Sequence, residues 1–79
     1  MSTTADEADL IREWWGVQLP PEAVVLYLEN YSSWSWSESL LVYQIGDSIY
    51  VQDEDSWRPV VVDQEQALAI MLDFEEIQP

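Results

Sequence analysis

The sequence predicts an α+β fold: a small antiparallel sheet of three to four strands packed against two or three helices, in the order α-α-β-β-β-α. Three observations predict it. "TADE" opens an N-terminal segment whose apolar residues recur at helical spacing. Two β-rich runs, "LLVYQI" and "SIYVQ", are joined by Gly46–Asp47. Asp63 precedes a C-terminal run with Gln66 three residues on and apolar residues along one helical face. The 79 residues make a single domain, 1–79, with neither repeats nor a linker.

Each element has a local reason. In the first helix Thr4 is the expected N-cap and Glu7 its capping-box partner. Ala8, Ile11 and Trp15 share a face that Leu10 and Trp14 widen. Adjacent helical positions point about 100° apart, so one of Trp14 and Trp15 reaches the helix edge. Gly16 suits the left-handed position that ends a helix. "LPPEAVVLYLENY" reads as a second helix over 21–31, with Pro21 at its first position and Val24, Tyr27, Leu28 and Tyr31 on one face. The β-branched pair Val24–Val25 also fits a strand. In "SWSWS" alternation places Trp34 and Trp36 on the same side of an extended segment. Gly46–Asp47 predicts a two-residue hairpin with glycine first, as a type II′ turn prefers. "DEDS" is a polar turn, and "WRPVVV" a strand that Pro59 assigns to an edge or a strand start. Asp63 and Gln66 then cap a helix from about Gln64 to Glu75, whose face is Ala67, Ile70, Met71 and Phe74, with Leu68 and Leu72 beside it. The helices are expected on one side of the sheet.

Charge bounds the partners. Sixteen Asp and Glu stand against Arg12 and Arg58, with no lysine or histidine, for a net charge of −14. Such a chain repels nucleic acid and anionic membranes and attracts basic surfaces. Without Cys or His, no disulfide and no thiolate or imidazole metal site can form. The expectation is no cofactor and no resident metal. "DED" at 53–55 with Asp47 or Asp63 invites a hard-cation site, but the spacing of a calcium loop is missing. No nucleophile elbow, P-loop or dinucleotide fingerprint occurs, so the chain is not expected to be an enzyme. No apolar run reaches the roughly 18 residues of a membrane span and no signal peptide is visible, which makes the cytoplasm the expected compartment. Homodimerisation is one route to extra stability in so small a core.

The residues that remain point to a binding protein. Trp34 and Trp36 fit a core strand, or they fit the anchors of an interface with Tyr31 or Tyr43; base stacking fails because nothing would neutralise phosphate. With them, Glu38, Asp47, Asp53, Glu54 and Asp55 form the candidate partner-binding set. Duplex DNA carries a charge per about 1.7 Å of axis, so an excess of 14 acids on a domain about 25 Å across has the magnitude of a DNA mimic. Adaptation to high salt produces the same composition and is the competing origin of the acidity.

"IREWWGVQLPPEAVVLYLENY" and "IGDSIYVQDED" resemble the SUKH immunity superfamily over about 50 of the 79 residues. Ser32–Ser33 stand where Asn-Gly often follows that family's second helix. The resemblance implies neutralisation of a toxin by direct binding. In general character the chain is also similar to small acidic phage inhibitors of DNA repair, restriction or CRISPR enzymes. Its expected role is thus an inhibitor of anti-defence, anti-CRISPR or DNA-mimic type that occludes the basic surface of a nucleic-acid-binding enzyme or nuclease. An immunity protein against a basic toxin, or a salt-adapted structural or regulatory subunit, are the alternatives.

Overall fold

The computed structural model describes residues 5–32, 37–53 and 58–77. Its elements run α1 (Ala5–Trp15), β1 (Val24–Ser32), β2 (Ser37–Ile45), β3 (Ser48–Asp53), β4 (Val60–Val62) and α2 (Gln64–Ile77). The strands form one antiparallel sheet in the order β1-β2-β3-β4, a meander in which every strand pairs with its neighbour in the chain. The α+β class and the four strands with two helices agree with the sequence reading.

Local chemistry sets the ends of the elements as expected where it can be followed. Gly16 takes φ +68°, and its N–H bonds the Arg12 carbonyl at 2.9 Å, closing α1 with a left-handed cap. Gly46 takes φ +61° and Asp47 does not share the positive value, the signs of a type II′ turn between Ile45 and Ser48. At α2 the Gln66 N–H donates to Asp63 Oδ1 at 2.7 Å and the Asp63 N–H to Gln66 Oε1 at 3.1 Å, a reciprocal capping box. Pro59 directly precedes β4, which is an edge strand. Thr4 and Trp57 lie outside the described residues.

The segment 21–31 is not a helix, so the order is α-β-β-β-β-α. Pro20 to Ala23 form a turn, with the Ala23 N–H on the Pro20 carbonyl at 3.0 Å. Pro21 serves as its second residue, where a φ near −65° is as useful as at a helix start. β1 follows, with a bulge between Val25 and Tyr27. The extra residue, Leu26, shifts the alternation by one. Val25 and Leu28 therefore both pack with Ile11 and Leu41, while Tyr27 packs on the opposite face with Val42 and Phe74. A same-face spacing of three is what a helix shows; here a bulged strand produces it.

The helices do not share one side of the sheet. α1 lies on one face, where Ile11, Leu41 and Tyr43 form a buried cluster with Trp15, Val25 and Tyr50 against it. α2 lies on the other, where Ala67 and Phe74 meet Leu40, Val42 and Val51. The cause is β2: Leu40, Leu41, Val42 and Tyr43 are consecutive and all buried. A strand without polar alternation needs cover on both faces. One helix cannot supply that, so the two terminal helices divide the work.

Tyr43 and Tyr50 are cross-strand partners with stacked rings, centroids 5.3 Å apart. Burial, and secondarily the neighbouring Tyr50 phenol, push the Tyr43 pKa above its ordinary value. The folded state thus holds the Tyr43 proton more tightly than the unfolded chain. Its contribution to stability is complete below the unfolded value of about 10 and is lost as pH rises through the folded value. Thermal melts between pH 8 and 11 should show the midpoint falling at the alkaline end. Tyr43→Phe, which keeps the stack, should flatten part of that fall; an unchanged pH profile in the variant would assign the loss to other groups.

Candidate protein-binding surface

Every acidic side chain described is partly or fully exposed; the single buried polar residue among the described ones is Gln52. Arg12 forms an ion pair with Asp9 at 2.7 Å, one turn away on α1, with both side chains more than half exposed. Such a pair contributes little, and the acidic surface is left largely uncompensated.

The sheet register places the candidate carboxylates. Glu29, Leu40 and Asp53 form one row across β1, β2 and β3. Leu40 and Val51 pack towards α2, so alternation directs Glu29, Asp53 and Glu38 to that face as well. At a strand spacing of about 4.8 Å, Glu29 and Asp53 stand roughly 10 Å apart on either side of Leu40, with Glu38 about 7 Å further along β2. Glu75 of α2 accepts a hydrogen bond from the Tyr27 hydroxyl at 3.2 Å, beside the same end of the sheet. Glu38 and Asp53 therefore lie on one face of the sheet, with Glu29 and Glu75 near them. Asp47 is not. It sits in the turn at the other end of β3, six residues or about 20 Å from Asp53, so a shared cation site for the two is ruled out. Trp34, Trp36, Glu54 and Asp55 lie outside the described residues. Tyr43, an expected companion of the tryptophans, is 4% exposed and belongs to the core. Trp14 reaches the helix edge, 44% exposed, its ring 5.7 Å from that of Trp15.

A second feature was missed from sequence. Between the first turns of α2 and the hairpin end of the sheet runs an open groove of about 610 Å³. Leu26, Ile49, Val62, Ala67, Leu68 and Met71 make its apolar wall. Gln44, Asp47, Asp63 and Gln64 make the polar part. Its origin is the β1 bulge, which leaves Leu26 and Tyr27 on the same face: Tyr27 fits edge-on against Phe74, centroids 5.9 Å apart, and Leu26 remains 41% exposed. Leu68, on the flank of α2 rather than its core face, is 51% exposed.

Among the described residues no three acidic side chains converge to hold a metal ion, and no helix is long and apolar enough to cross a membrane. Comparison with family models, with curated proteins and with solved structures gives no match to this chain.

Proposed function

We propose that the chain is an acidic protein-binding inhibitor that occludes the basic nucleic-acid-binding surface of a partner enzyme, as a DNA mimic or anti-defence protein of a phage does. The observation that carries this reading is the uncompensated surface charge: a net −14 on a body of 36 × 28 × 23 Å. Duplex DNA over 23 to 36 Å presents about 14 to 21 phosphate charges, so the protein matches its charge per length along the shorter axes. The carboxylates of Glu29, Glu38 and Asp53 are spread over one face rather than gathered at a point. That distribution suits a broad basic cleft and does not suit a bound ion. Charge of this kind steers encounter and lends specificity, while packed anchors set the lifetime of the complex.

The test is competition with duplex DNA for a panel of basic nucleases and DNA-binding enzymes. Binding should weaken by about two orders of magnitude between 50 and 300 mM salt, chiefly through the association rate. Reversing one of Glu29, Glu38 or Asp53 to lysine should change little, because the others maintain the field. Reversing all three should slow association at least tenfold. Binding that persists unchanged at 1 M salt, or that leaves DNA on the enzyme, would overturn the proposal.

A further inference from the structure

We infer that the groove at the hairpin end of the α2 face seats a basic segment of the partner protein, one in which leucine-like side chains are flanked by arginine or lysine. The inference rests on the occlusion reading above and specifies the contact that holds the complex once charge has formed it. Two observations select this occupant. The wall of the groove is apolar and wet: Leu26 is 41% and Leu68 51% exposed, and a volume of about 610 Å³ falls within the range of sites that enclose a ligand. Its rim carries two exposed carboxylates from different elements, Asp47 in the hairpin turn and Asp63 at the N-cap of α2. The cap uses Asp63 Oδ1 for the Gln66 N–H and does not require the other oxygen, which can take a cation. An apolar side chain in the groove with flanking guanidinium groups on the rim carboxylates satisfies both features, because long basic side chains can lie along apolar surface and keep their charge at its edge. Charge disfavours the other occupants. A second copy would bring another −14 against this rim, and anionic lipid or nucleic acid would be repelled.

The probes are two capped peptides of equal charge, Arg-Arg-Leu-Leu-Arg-Arg and Arg-Arg-Ser-Ser-Arg-Arg, titrated into the full chain at 20 mM salt and followed by amide and methyl NMR. The leucine peptide should bind at least tenfold tighter and shift signals of Leu26, Ile49, Val62, Leu68 and Met71. The exposed Leu68→Ser should reduce its affinity to that of the serine peptide, whose own affinity stays unchanged. Asp47→Asn with Asp63→Asn should weaken both peptides; asparagine caps a helix as well as aspartate, so α2 stays intact. If the two peptides bind alike, with shifts spread over the acidic surface, the groove inference is overturned and the occlusion proposal stands. If neither binds, or if groove signals broaden with protein concentration in the absence of peptide, the inference is overturned as well, the latter result giving the groove to a second copy. The enzyme competition above judges the occlusion proposal independently.

Discussion

Phe74→Ala should remove about 4 kcal/mol of stability. Phe74 is 6% exposed and joins α2 to the sheet through Leu40, Val42 and Val51, with Tyr27 edge-on to its ring. Truncating a buried phenylalanine costs about 3–5 kcal/mol through lost transfer energy and the cavity left behind, and the aromatic pair adds about 0.5–1.5 kcal/mol. A domain of 79 residues has only about 4–12 kcal/mol in total. The variant should therefore be at the margin of folding, with a melting midpoint lower by roughly 15–30 °C. Urea unfolding followed by circular dichroism measures it. A loss under about 1 kcal/mol would mean that α2 is not docked through this ring.

On the opposite face, Leu41→Ala should cost about 3 kcal/mol. Leu41 is fully buried on β2, a strand paired on both sides, and packs in the cluster of Ile11 and Tyr43. Milder changes test the architecture itself. Leu41→Val and Phe74→Leu act in separate cores, so their effects on stability should add within about 0.5 kcal/mol. A coupling above about 1 kcal/mol would show that the two faces of the sheet are not independent cores.

The parts of the fold that could be read from sequence are those whose signal is local. The Asp63–Gln66 box, the Gly46–Asp47 turn and the Gly16 cap each involve residues within four positions of one another, and each has one physical solution. β1 could not be read in the same way. The extra residue at Leu26 gives a strand the period of a helix, and only pairing with β2 reveals it. The division of the helices between two faces did have a sequence signal: Leu40 to Tyr43 is an unbroken apolar run, and one-sided cover would have left two of the four in water. The same distinction holds for the candidate surface. Acidity and its exposure follow from composition. That Glu38 shares a face with Asp53 while Asp47 and Asp63 both line the groove depends on strand register, which a linear pattern does not contain.

The meander has a consequence for how the chain assembles. Its three pairings join consecutive strands across connections of four, two and six residues, as the element bounds show, so closing each loop costs little entropy. The sheet is expected to form early and fast for a β structure, because each strand pairs only with its neighbour in the chain. The helices come from the two ends, one to each face, and neither has to pass the other to dock. In that order of events, the open faces of β2 are exposed only until the ends of the chain fold back, and the negative charge keeps one half-covered sheet from meeting another during that interval.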